Sequence, residues 1–135
     1  MIKSAEEFMR LRLSEKPDEY LRAAWEEAPL AVWVEVIEQY PEMRFWVAHN
    51  KTVPSGVLEI LADDPCWRVR HMVASKNKLP EHIQLKLAKD DDSSVRQRVV
   101  YNKKVSLSAL KILEQDIDEE IKKHALTRIA AFKCK

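Results

Sequence analysis

Glycine is almost missing from this chain: Gly56 is the only one in 135 residues. Folds built from β-hairpins need turns with positive φ, which glycine usually supplies, so the scarcity argues against an all-β architecture and for helices. Cysteine is scarce as well. Cys66 and Cys134 lie far apart and belong to no paired motif, whereas a disulfide scaffold or a zinc site needs more ligands at closer spacing. The expectation is two free thiols in a reducing cytoplasm. No apolar run approaches the roughly 20 residues that cross a bilayer. The opening MIKSAEEF has no basic stretch followed by an apolar one, so neither a membrane partner nor a targeting segment is expected. What is abundant is Ala, Leu, Glu, Lys and Arg, all good helix formers. An apolar share of 46% suits one folded domain rather than disorder.

The apolar residues recur at a constant 26-residue step. Met43-Arg44 returns as Val69-Arg70, Val95-Arg96 and Ile121-Lys122. The same step links Val47, Val73, Val99 and Ala125, then Ala48, Ala74, Val100 and Leu126. It also links Leu61, Leu87 and Leu113, and Asp64, Asp90 and Asp116. Within each copy two apolar stripes follow the helical period, one through Val69, Met72 and Val73 and one through Ile83 and Leu87. Pro54 and Pro80 suit the first turn of the second helix, and Ser106 in their place can cap it through its hydroxyl. The acidic turns at residues 63–64, 90–92 and 116–118 precede the next first helix, where carboxylates cap exposed N–H groups and favour the positive end of the helix dipole. Asn50 and Asn102 follow the first helix, where asparagine tolerates a left-handed cap.

Helices of roughly 9–10 residues are marginal alone, and stacked copies supply the cover they need. The expected architecture is therefore all-α, a solenoid of helix–turn–helix units forming one domain over residues 1–135. Residues 1–16 hold an N-terminal capping helix, opened by Ser4 and Glu7 at capping-box spacing. A degenerate repeat follows at 17–42. Regular repeats span 43–68, 69–94 and 95–120, and a capping helix fills 121–135.

The unit, D-x-x-x-x-VR-x-x-VA followed by Asn, Pro and an L-x-x-LA ending, resembles the HEAT-like repeats, in particular the leucine-rich repeat variant. The resemblance covers about residues 43–130. It implies a right-handed superhelix with a concave ligand surface lined by second helices, and it implies no single function. One branch of the variant family carries an iron–sulfur module, for which this chain lacks the clustered cysteines.

The recurring side chains admit two readings. Arg44, Arg70, Arg96 and Lys122 form either a basic ladder for phosphates or a structural one, each paired with Asp64, Asp90 or Asp116 on the preceding turn. Recurrence in both sets favours the structural ladder. His49, His71, His82 and His124 include no metal-pair spacing, and the serines sit in no nucleophile elbow, so neither metal, cofactor nor catalytic residues are expected. Trp33 lies in an apolar run and reads as core. Trp46 and Trp67 read as candidate partner-binding anchors, and Lys86, Lys89 and Lys111, off the apolar stripes of the second helices, as a candidate contact surface.

Charge is uneven. Residues 1–42 hold 5 Lys/Arg against 10 Asp/Glu, and residues 43–135 hold 18 against 12. Such asymmetry steers docking. The expected function is a non-catalytic protein-interaction module, an adaptor, inhibitor or immunity-type protein, monomeric or a weak homo-oligomer. The alternative is a nucleic-acid binder related to the HEAT-like alkylpurine DNA glycosylases.

Overall fold

Short apolar stripes separated by proline, asparagine and aspartate set the lengths of the elements. The computed structural model describes residues 1–133, so the reading of Cys134 as a free thiol lies outside the described residues. Among those residues every regular element is helical: ten α-helices and one short 3-10 segment. They divide into two compact units, Met1–Leu61 and one beginning at Ala62.

The first unit holds α1 (Ala5–Leu13), α2 (Pro17–Trp25), α3 (Leu30–Gln39), a 3-10 turn (Pro41–Met43), α4 (Arg44–His49) and α5 (Ser55–Leu61). Ser4 caps α1, its Oγ accepting the Glu7 N–H at 3.0 Å. Glu7 reaches back to the N–H of Lys3, at 3.3 Å, one residue short of the reciprocal box that the spacing predicts. Phe8 and Trp33, both fully buried, meet edge to face with ring centres 5.2 Å apart. Trp33 is thus core, as its apolar neighbours suggest. Pro17 begins α2 with a nitrogen that would have no partner anyway.

Where α2 ends, Glu26 accepts from Arg22 Nε and from the amino group of Met1, both at 2.7 Å. These donors, Arg22 first, hold its carboxyl at about 2 instead of 4.5. The folded carboxyl titrates below the unfolded one, so the contacts contribute stability that is complete above pH 4.5 and is lost as pH falls toward 2. Glu26→Gln is expected to flatten acid unfolding monitored by circular dichroism in that window, while leaving stability at pH 7 slightly reduced. An unchanged acid limb would mean that the contact does not form.

The second unit holds α6 (Trp67–Ala74), α7 (Glu81–Leu87), α8 (Ser93–Tyr101), α9 (Leu107–Leu113) and α10 (Glu119–Lys133). First helices pack on first helices, α6 on α8 and α8 on α10, while α7 packs on α9. The recurring apolar positions form the core: Val69, Val95 and Ile121, Val73, Val99 and Ala125, and Leu87 and Leu113 are all buried. Each such leucine or valine contributes about 1.5–3 kcal/mol by leaving water. One member of the pattern departs. Leu126, at the position of Ala74 and Val100, is 47% exposed on α10.

Proline stands one residue earlier than expected. Pro80 is the N-cap of α7 and Pro54 immediately precedes α5, so the ring sits before the first helical residue. Ser106 fills the same place ahead of α9 and caps it as the sequence predicts, with Oγ accepting the Ala109 N–H at 3.1 Å. Unlike proline, Ser106 carries a backbone N–H, which needs an acceptor. Buried Gln84 supplies it: Oε1 accepts the Ser106 N–H at 2.8 Å, and Nε2 donates to the Leu79 carbonyl at 2.9 Å. The residues 26 positions before and after Gln84 are Leu58 and Leu110. Gln84→Leu is therefore expected to cost about 1–2 kcal/mol in urea unfolding, through the Ser106 N–H and the Leu79 carbonyl that lose their partner. Adding Ser106→Pro should restore part of it, although that change also removes the Ser106 hydroxyl cap; a double variant no more stable than the single one would refute this pairing.

Candidate interaction surfaces

The asparagines do not adopt the expected left-handed caps. No non-glycine residue among those described has a positive φ, and Asn50 and Asn102 sit at φ −59° and −63°. Their side chains act over long range instead. Asn102 Nδ2 donates to the carbonyls of Ala74 and Lys76 at 2.8 and 2.9 Å, while Oδ1 accepts the Lys104 N–H at 2.8 Å. Asn50 does the same in the first unit, donating to Ala23 and Glu26 and accepting from Thr52. Arg128 stands 26 residues beyond Asn102, and its Nη1 donates to the Val100 and Asn102 carbonyls at 2.8 and 2.9 Å. A side-chain donor thus closes the end of one first helix onto the next.

The arginine column is likewise engaged internally. Arg70 binds Asp90 in a fork, Nε to Oδ2 at 2.8 Å and Nη2 to Oδ1 at 3.2 Å, and its Nη1 donates to the Asp64 carbonyl at 2.7 Å. Arg96 repeats the arrangement with Asp116 and the Asp90 carbonyl. This corrects the expected pairing. The carboxylate comes from the turn that follows each arginine, and the preceding turn supplies only carbonyls. The carboxylates of these turns also bind close to home, since Asp64, Asp90 and Asp116 each accept the N–H two residues later. The Asp90 carboxylate in turn raises the Arg70 pKa. Arg44 donates its Nε to the Ile37 carbonyl, and Lys122 is half-buried on α10.

The tryptophans divide. Trp46 is half-buried, with the Arg12 guanidinium 3.5 Å above its ring and Phe45 and His49 at its edges. Cation–π stacking already occupies the face that a partner would use. Trp67 is 40% exposed, with His71 edge-on and Arg68 alongside. Burial and the neighbouring Arg98 charge hold the His71 imidazole below its ordinary pKa, against an opposing pull from Asp92. Trp25, which the sequence does not single out as an anchor, is the most open at 63%. It shares a shallow cleft on α2 with Leu21, Asp18, Arg22 and Glu26. A signal for it exists in the sequence: α2 buries its two small residues, Ala23 and Ala24, leaving the larger Leu21 and Trp25 outside.

The three lysines also separate. Lys89 and Lys111 are exposed. Lys86 is exposed but ion-paired with Asp63. Further exposed cations of the second unit include three in its interhelix loops, Lys78 between α6 and α7 and Lys103 and Lys104 between α8 and α9, besides Arg68 on α6 and Lys123 and Lys133 on α10. Among the described residues no group of histidine, cysteine and carboxylate side chains converges as a metal site would require, and no helix is long and apolar enough to cross a membrane. Cys66 is a free, exposed thiol.

No family model, curated protein or solved structure matches this chain.

Proposed function

We propose that this protein is a non-catalytic protein-interaction module, built as a short right-handed α-solenoid on a 26-residue step and similar to the HEAT-like and leucine-rich-variant repeats. The solenoid reading is supported by Arg70–Asp90 and Arg96–Asp116, two copies of one network displaced by a single repeat. The functional reading is carried by one observation. The recurring arginines and asparagines are engaged in holding helices together, whereas Trp25, Leu21 and Trp67 are left at the surface, 63%, 50% and 40% exposed. Amphipathic aromatics supply interface anchors at low entropic cost, and a fold that places them outside presents them to a partner. An adaptor, inhibitor or immunity-type protein uses such a surface.

The test is affinity capture of the tagged protein from its native lysate, eluted in steps of salt, with half the sample treated with nuclease. A stoichiometric protein that survives nuclease, and that Trp25→Ala with Leu21→Ala releases, supports the module. Nuclease-sensitive recovery with early salt elution overturns it in favour of nucleic-acid binding.

A further inference from the structure

The second unit has ends of opposite charge. Its helices alternate in direction, so the α6–α7 and α8–α9 loops share one end and the acidic turns at residues 88–92 and 114–118 share the other. Hydrogen bonds fix both groupings: Asn102 and Gln84 join the two loops, and Arg96 joins the two turns. At the acidic end Asp90 and Asp116 are consumed by arginines. At the loop end Lys78, Lys103 and Lys104 are exposed, and none has an ion-pair partner among the described residues. The nearest acid in sequence is Glu81, at the start of α7. Side chains of Asn102 and Gln84 tie these loops through the backbone of Lys76 and Lys104, so a partner that binds here need not order the loops from a free chain.

We infer that this loop end seats an extended acidic segment of the partner protein, an inference that rests on the protein-interaction reading above. Lys78 and Lys104 are equivalent positions one repeat apart, and packed helices are spaced roughly 8–10 Å. An extended chain advances about 3.3 Å per residue, so acids at every third residue match that step. A nucleic acid fits less well. The loops offer lysine point charges without a free arginine fork, because Arg128 is turned inward onto two carbonyls.

The probe is a fluorescein-labelled peptide of five Glu-Gly-Ser triplets, read by anisotropy at low salt against a peptide of equal composition with its glutamates in one block and against a dT20 oligonucleotide. The spaced peptide is expected to bind at least severalfold tighter than the block peptide and the oligonucleotide. Lys78→Glu/Lys103→Glu/Lys104→Glu is expected to weaken it by about tenfold or more, while Lys86→Glu/Lys89→Glu/Lys111→Glu leaves it within about twofold. Circular dichroism of both variants reports whether they remain folded. Tighter binding of dT20, equal binding of the two peptides, or equal effects of the two triple variants would each overturn the assignment. In the lysate capture, a protein partner retained by the loop variant sinks this inference alone, whereas recovery of no protein by the wild type sinks the reading beneath it.

Discussion

Asn102→Ala is expected to destabilise the protein by roughly 3 kcal/mol in urea unfolding, because it strips partners from two carbonyls and one N–H around a 3% exposed side chain. A domain has only about 5–15 kcal/mol in total, so the variant should melt markedly lower. Arg128→Met removes the corresponding donor from a more accessible place. It is expected to cost about 1 kcal/mol, since water can reach the carbonyls it abandons. If Asn102→Ala lost no more than the arginine variant, the buried latch would not be the structural element described above.

Removing one partner of the Arg70–Asp90 fork should be comparably severe. The two side chains are only 17% and 9% exposed, so Arg70→Met leaves a largely buried carboxylate uncompensated, at a cost of about 3 kcal/mol. Asp90→Asn keeps the acceptor for the Asp92 N–H while deleting the charge. The pair Arg70→Met/Asp90→Asn is then expected to lose less than the sum of the single losses, by about 1 kcal/mol or more. Strict additivity in this double-mutant cycle would show that the fork contributes nothing beyond its separate parts.

The all-helical class is legible because glycine scarcity and 3.6-residue stripes are local facts, and local facts decide helices this strongly patterned. The caps of α1, α8 and α9 are legible for the same reason: a serine or aspartate and an N–H two or three residues on are all that the chemistry requires. Asn50 and Asn102 escape the local rule. A left-handed cap competes there with a distant partner, Ala23 for one and Ala74 for the other, that no short window of sequence contains. The column 50, 76, 102, 128 reads Asn, Lys, Asn, Arg, every one a hydrogen-bond donor, and that shared chemistry is the clue the sequence offers. The direction of the Arg–Asp pairing is hidden likewise, since the turn before and the turn after each arginine carry the same aspartate until the helices are packed. Trp46 reads as an anchor because sequence cannot show that Arg12 lies across it.

Gln84 and Ser106 set how such a chain can lengthen. Duplicating residues 95–120 would bring a second serine N–H against Leu110, which has no amide to receive it. Duplicating 69–94 would instead place a proline against Gln84 and orphan its Oε1. Either insertion leaves one buried polar group without a partner, a penalty of about 1–3 kcal/mol per event. Copying the two-repeat block 69–120 as a whole incurs neither, since leucine again precedes proline and glutamine again precedes serine. In the proposed solenoid, growth by tandem duplication is therefore smooth in pairs of repeats and obstructed in odd steps.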